Sequence, residues 1–300
     1  MARAQAQRAL QAQTPPARLA ELRAGYALAG SARRQSQALF AVVLLLCVGI
    51  SAWVGEVDLR NAWLNLAKFP AYIAGTVPSL HWATLGADLA EWYWGLGRWL
   101  RLLWETLLIA YVGTVVGALG AFVLCFAASA NLAPSASLVF ATRRLLEFGR
   151  TVPEIVFALI FVVAFGLGPL PGVMAIVIHT TGALGKLFAE VVENIDLDPV
   201  DGVRATGASR LQAVRWAVLP QVQAHFTSYA LLRFEVNVRS AAIMGFVGAG
   251  GIGQELLEAI RKFYVTDVSA ILLLIIGTVM LIDIGTERVR HRLVDVVAVR

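Results

Sequence analysis

Charge is what this chain has least of. Of its 300 residues, 15% are Asp, Glu, Lys or Arg, against about 25% in an ordinary soluble domain. Ala, Val, Ile, Leu, Met, Phe, Trp, Tyr and Cys make up 58%, with 26 glycines besides, so too few polar side chains remain to cover a soluble exterior. That excludes a disordered chain, a nucleic-acid-binding domain and most soluble enzymes. Cysteine is nearly absent. Cys47 and Cys125 each sit in an apolar run, so no disulfide framework is expected and both read as inert packing residues. His81, His179, His225 and His291 are scattered, with no H-E-x-x-H, no cysteine cluster and no G-x-S-x-G. Zinc sites and a nucleophile elbow are therefore unsupported, and with them an intramembrane protease.

What is present is long and uncharged. Ala38–Gly55, Thr106–Thr142, Ile155–Gly185 and Val268–Ile282 hold 18, 37, 31 and 15 residues without a formal charge. Crossing about 30 Å of hydrocarbon as helix takes roughly 20 mostly apolar residues. The 31-residue run is too long for one span, and its Gly166-Leu167-Gly168-Pro169-Leu170-Pro171-Gly172 cluster reads as a turn between two. No apolar/polar alternation supports a barrel, and lipid offers no partner to open backbone, so helices remain. The expected architecture is all-α and polytopic, with about six spans near 38–55, 104–129, 148–168, 171–190, 222–247 and 267–286.

The net charge of +5 reports topology. One side of these spans holds 16 basic residues: Arg3, Arg8, Arg18, Arg23, Arg33 and Arg34 before the first span, then Arg143, Arg144, Arg150, Arg204, Arg210 and Arg215, and Arg288, Arg290, Arg292 and Arg300 after the last. The other side holds six, Arg60, Lys68, Arg98, Arg101, Arg261 and Lys262. The positive-inside rule places both termini in the cytoplasm. The tail 1–37 is longer than a usual n-region and lacks a clear small-residue cleavage site, so it is expected to be a flexible or surface-bound cytoplasmic tail, not a signal peptide. A second tail covers 291–300. Seven of eight tryptophans fall between Trp53 and Trp104, and segment 56–103 is expected to form short helices along the outer surface, anchored by rings at the water–lipid boundary.

Two glycine-rich stretches imitate nucleotide sites. Gly248-Ala249-Gly250-Gly251-Ile252-Gly253 matches G-x-G-x-x-G but lacks the βαβ setting, so a helix break or close packing is expected. Gly182-Ala183-Leu184-Gly185-Lys186-Leu187 lacks the first Gly and the final Ser/Thr of a phosphate loop. Gly113, Gly117 and Gly120 have the spacing of a close helix contact.

Polar residues inside spans carry more. Glu154, His179, Lys186, Glu190, Arg233, Glu235 and Arg239 are costly in lipid and should face protein or a watery path. Glu235/Arg239 and Lys186/Glu190 are spaced to neutralise one another along a helix face. The alternative is a polar path for an anion, and spacing alone leaves both open.

The loop 191–221 reads Asp201-Gly202-Val203-Arg204-Ala205-Thr206-Gly207-Ala208-Ser209-Arg210, then on from Leu211 to Ala217-Val218-Leu219-Pro220. It resembles the EAA loop of ABC importer permeases, E-A-A-x3-G-x9-I-x-L-P. Gly207, Leu219 and Pro220 fit; Asp201 stands where the family has Glu, Gly202 and Val203 replace the two Ala, and Ala217 replaces Ile. The stretches Arg150–Glu154, Gly166–Pro169, His179–Glu190, Arg233–Ser240 and Gly248–Gly253 are similar to the phosphonate importer permease.

This resemblance implies a type-I importer permease fold over 104–290. It implies a coupling loop in which Asp201, Arg204, Gly207, Ala208, Arg210, Leu219 and Pro220 meet the ATPase. Glu154, His179, Lys186, Arg233, Glu235 and Arg239 are candidates for the translocation path. The implied partners are a second permease subunit, identical or related, two cytosolic ATPase subunits that use the ATP and Mg, and a periplasmic or lipid-anchored binding protein. The implied place is a bacterial cytoplasmic membrane, with no catalysis and no cofactor in this chain. A permease for methionine or another small solute is the near alternative, and a non-transport scaffold or channel the distant one.

Overall fold

The computed structural model describes residues 16–298, so Arg3, Arg8 and Arg300 lie outside the described residues. Every regular element among the described residues is helical. The chain divides into two compact units, 1–71 and 72–300.

The first unit is dominated by α1 (Pro16–Val54), 39 residues long, whose Arg33–Val54 stretch is long and apolar enough to cross a membrane. The expected tail is thereby shortened: residues 16–37 continue the helix, because a stretch rich in Ala, Leu, Arg and Gln favours it. Cys47 is exposed on α1, not packed as expected. After α1, Asp58 caps α2 (Leu59–Leu66), its Oδ1 accepting the Asn61 N–H at 2.9 Å. Helix α3 (Lys68–Thr76) leads into the second unit.

The second unit continues with α4 (Leu85–Trp92), α5 (Leu96–Ala128), α6 (Ala136–Thr151), α7 (Glu154–Phe165) and α8 (Pro169–Glu193). Then come α9 (Asp198–Ala205), α10 (Arg210–Ala213), α11 (Leu219–Met244), α12 (Ile252–Arg261) and α13 (Val265–Ala298). Besides α1, helices α5, α8 and the Val265–Arg290 part of α13 are long and apolar enough to span.

Two expected spans differ. The stretch 148–168 is not one helix: α6 and α7 meet at an 85° bend. Pro153 has no N–H to continue the ladder and holds Val152 extended at φ −73°, ψ 124°. Helix α7 alone has 12 residues, about 18 Å, so only the bent pair raises the count of apolar spans from four to five. The stretch 222–247 is α11, 26 residues and about 39 Å long, but Arg233, Glu235, Asn237 and Arg239 make it less apolar than the others.

Short helices do fill the tryptophan-rich segment, although α5 begins at Leu96, ahead of the expected 104. Trp82 is exposed, whereas Trp92 and Trp99 are core residues and not anchors. The Trp92 indole donates to the Thr266 carbonyl at 3.1 Å and Ser269 Oγ at 3.2 Å, and the Trp94 indole to Asp267 at 3.1 Å. These bonds tie α4 to the start of α13. The glycine cluster between α7 and α8 is the expected turn, with Gly166 at φ 87° and Gly168 at φ 142°.

The centre of the unit is the crossing of α5 and α8. A Cβ on Gly113 would lie 2.5 Å from Ile176, on Gly117 2.7 Å from Thr180, and on Gly120 2.9 Å from Thr181. Small residues let the backbones approach, which is how helices associate where lipid removes any hydrophobic drive. Helix α6 lies on α8 in the same way: a Cβ on Gly182 would come within 2.6 Å of Arg150 N and Leu146 O. At the α8 C-terminus Glu193 pairs with Arg143 and accepts the Ala130 N–H at 2.6 Å.

Gly182→Val is expected to block assembly, since overpacking against a backbone that cannot yield costs about 3 kcal/mol or more. Gly49→Ala, with nothing within 4 Å of the new atom, should leave the chain intact. Size-exclusion profile and melting temperature in detergent check both.

Candidate functional site

Two places gather the residues singled out by sequence. The first is the corner built by α9 and α10. Asp198 and Asp201 stand in the first turn of α9, where negative charge suits the helix dipole. The chain then reverses at Gly207, φ 85°, a left-handed conformation that glycine adopts without strain. Ser209 and Gln212 form a capping box, Ser209 N–H donating to Gln212 Oε1 at 2.7 Å. From α10 a π-helical turn, Val214–Val218, leads into α11, with Pro220 in its first turn.

Val200, Ala213, Ala217 and Val218 are buried with Phe188, Ala189 and Val192, so the corner is fastened to α8. Its outer face presents Asp201, Arg204, Gly207 and Arg210. Leu211 is 82% and Trp216 66% exposed, and the Arg215 guanidinium lies 5.2 Å from the Trp216 ring centre. Ala208 is half-buried beside a hollow of about 370 Å³ lined also by Val203, Thr206, Gly207, Gln212 and Trp216. Leu219 packs into the core instead, and Pro220 is exposed apart from the outer group. Leu211 and Trp216 escaped the sequence pattern; two large apolar side chains in a polar loop were the available signal.

The second place lies within the helices. Glu154 opens α7, His179 stands midway along α8, and Arg233 midway along α11. Arg233 Nη2 contacts His179 Nδ1 directly. The Glu154 Oε2 atom is 3.4 Å from that Nδ1 and 3.6 Å from Arg233 Nη2. One turn beyond Arg233 is Asn237, fully buried, whose Nδ2 donates to Thr114 on α5 at 2.8 Å and to Thr180 on α8 at 2.9 Å. Arg233 Nε reaches the same Thr180 hydroxyl at 3.5 Å. Asn237, Thr114 and Thr180 carry no charge, so a search for intramembrane charge passed over them; the signal was Asn237 four residues after Arg233 on one helix face.

The other candidates are elsewhere. Lys186 pairs with Glu190 at 3.5 Å, both about half exposed. Arg239 pairs with Glu235 at 2.6 Å and with Asp283 of α13 at 3.2 Å. Glu154, His179 and Arg233 are thus brought together, while Lys186 and the Glu235–Arg239 pair are not part of that group.

The glycine-rich stretch 248–253 breaks the helix. Gly248, Gly250 and Gly251 have φ of 84°, 86° and 79°. The Gly251 and Ile252 N–H groups donate to Glu105 at 3.1 Å and Thr106 at 2.9 Å, both on α5, and Gly168 N–H donates to the Gly248 carbonyl at 3.0 Å. It is a close-packed turn into α12.

Known proteins share this chain's pattern. Residues 123–295 match the family model described as binding-protein-dependent transport system inner membrane component. The phosphite transport system permease protein PtxC of Stutzerimonas stutzeri is 39% identical over 82% of this chain and 83% of its own length. An Escherichia coli (strain K12) permease protein named for a cryptic phosphonate transport system is 51% identical over 40% of this chain and 99% of its own. The fold is that of a solved inward-facing methionine ABC transporter, with a TM-score of 0.57 and 23% identity over 67% of this chain and 96% of that one. The match of a transport-family model to more than half of the chain removes the scaffold alternative. The chain belongs to the family of binding-protein-dependent transport system inner membrane components.

Proposed function

We propose that this chain is the permease subunit of an ATP-driven importer that moves phosphonate, or phosphite and related phosphorus oxyanions, across the cytoplasmic membrane. The observation that carries it is the outward α9–Gly207–α10 corner on a chain so similar to a phosphite-transport permease. The corner has the chemistry of a docking surface: charged residues around Leu211 and Trp216, supported from below by buried aliphatic side chains. Two cytosolic ATPase subunits dock there and use the ATP and Mg; no covalent chemistry or cofactor belongs to this chain. A second permease subunit completes the pore, and a binding protein delivers substrate on the other side. The corner and both termini then face the cytoplasm, as the basic residues indicate. The transporter domain comprises 104–290, with 191–221 as its coupling loop.

The corner has a mechanical route to the helices. Asp196 N–H donates to Gln221 Oε1 at 3.1 Å, and Gln221 Nε2 donates to the Asp196 carbonyl at 3.1 Å. This reciprocal pair joins the connection just after α8 to the start of α11. A displacement of the corner by the ATPases moves both helices, and these carry His179 and Thr180, and Arg233 and Asn237. An oxyanion in transit needs donors that hold it weakly, and the Arg233–His179–Glu154 group supports that role better than Arg239, whose charge two carboxylates already meet.

Gly207→Asp adds a side chain at φ 85° and a negative charge on the docking face. Insertion should persist, while uptake and binding-protein-stimulated ATPase activity fall by about tenfold or more, the size of a lost hot-spot contact. Unaltered uptake in vesicles overturns the coupling role.

Among His179→Gln, Lys186→Gln, Arg233→Gln and Arg239→Gln, we expect Arg233→Gln to lower uptake of methylphosphonate or phosphite most, by about tenfold, the loss of one hydrogen bond to a charged group. Lys186→Gln should change it least. Normal transport in all four sinks the path, and ATPase stimulation by methionine but not by phosphite would move the substrate assignment.

A further inference from the structure

Among the described residues, three Lys and Arg side chains stand on α8 and α11, and they differ in how their charge is met. Arg239 has two carboxylates, Glu235 at 2.6 Å and Asp283 at 3.2 Å, so its site carries an excess of negative charge. Lys186 and Glu190 are half exposed along one helix. Arg233 is 15% exposed, and its acid partner Glu154 20%, yet no hydrogen bond joins them.

The reason lies in donors and acceptors. A guanidinium only donates. Its contact with His179 Nδ1 therefore makes that nitrogen the acceptor, with no proton to offer Glu154. The carboxylate oxygen is left beside a lone pair at 3.4 Å and a guanidinium nitrogen at 3.6 Å, whereas a charge-assisted bond closes to about 2.7–2.9 Å. Other ion pairs of the same unit close to that range or below it, Arg98–Glu255 at 2.7 Å and Lys262–Glu258 at 2.5 Å. Glu154 Oε2 is also buried and lacks any hydrogen-bond partner, a costly state for a charged atom. At Arg233 Nε, the Thr180 hydroxyl accepts from Arg233 and from Asn237, and its own hydrogen has no acceptor among the described residues.

We propose that the Glu154 carboxylate is a resident, exchangeable counter-ion, filling a seat beside the Arg233–His179 contact that a phosphorus oxyanion takes over in transit. This rests on the reading of the cluster as part of the path. Glu154 holds the seat by charge without the aligned bonds that would fix it there. A ligand with several anionic oxygens accepts from the Arg233 guanidinium and from Thr180 together, which one carboxylate oxygen does not do in this structure. Glu154 is the first residue after Pro153, at the 85° bend between α6 and α7, so small rotations at the break withdraw it. The resting site is neutral and becomes cationic when that one side chain leaves. Moving one acid from Arg239 leaves the other in place, and Lys186 offers no buried seat.

The test is calorimetric titration of the assembled importer, permease with ATPase subunits in nanodiscs and no binding protein, with phosphite and with methylphosphonate. Glu154→Gln removes the competing charge and should bind the anion about tenfold tighter or more than wild type, the scale of a close charge pair. Glu154→Asp keeps the charge but draws it back by one methylene, and should bind tighter as well. Glu154→Gln with Arg233→Gln restores neutrality and should assemble without binding. If Glu154→Gln fails to assemble, Glu154→Asp decides. Affinity no higher than wild type in the assembled variants overturns the proposal. Normal uptake by Arg233→Gln defeats the path itself, whereas impaired uptake by Arg233→Gln with no gain of affinity in the Glu154 variants defeats only the resident counter-ion.

Discussion

The close approach of α5 to α8 governs the rest of the second unit. Apolar surface gains nothing by leaving lipid for protein, so two helices stay together through van der Waals contact and hydrogen bonds alone. Gly113, Gly117 and Gly120 supply the first, each leaving space that a Cβ would fill with part of Ile176, Thr180 or Thr181. The Thr181 hydroxyl supplies one of the second, donating to the Gly117 carbonyl at 3.1 Å. At this separation Thr114 and Thr180 come near enough for one amide, Asn237, to donate to both. Asn237 thereby sets the rotation of α11, and one turn earlier Arg233 is delivered to His179. The candidate cluster is a consequence of the glycine seam, since His179 stands on α8 beside the Thr180 that Gly117 receives.

The same seam explains why polar groups are tolerated in the bundle. Thr114 satisfies its own proton on the Ala110 carbonyl at 2.6 Å and still accepts from Asn237, so two polar residues are paired inside without a net charge. Each donor without a partner there costs roughly 1–3 kcal/mol. Phe188 and Phe226 stack with centroids 4.0 Å apart and extend the α8–α11 contact toward the corner. The α8–α11 pair is thus polar in the middle and apolar near the loop.

Much of the fold was legible because lipid leaves few options. Charge-free runs located the helices of 38–55, 104–129, 171–190 and 267–286, the 166–172 glycines located a turn, and the spacing of Glu235 and Arg239 located a pair that forms at 2.6 Å. The departures share one cause: apolarity reports where a helix can lie, not where it stops or what it touches. The Val152-Pro153 step was in plain view, yet the apolar residues after it hid the bend. Residues 16–37 are too polar to span and were for that reason denied the helix their propensity favours. Trp92 and Trp99 were grouped with ring anchors because composition does not separate a tryptophan whose indole finds an internal carbonyl from one left at a surface. Of the candidate path, three residues of six were gathered, and their uncharged supports were invisible to a criterion built on charge.

For the proposed transport, low dielectric imposes two opposed demands on Arg233. At rest a buried cation must be neutralised, or the helices that carry it would not assemble. In transit an anion must find positive charge, yet not so much that it stays. A permanently well-bonded pair such as Arg239 with Glu235 and Asp283 meets the first demand and defeats the second. A bare cation does the reverse. A partner near enough to neutralise Arg233 but without an aligned hydrogen bond, as Glu154 is here, satisfies both. The corner's reciprocal Asp196–Gln221 bonds join the segment after α8 to α11, so in the proposed transport a movement of the loop reaches both helices that carry the seat.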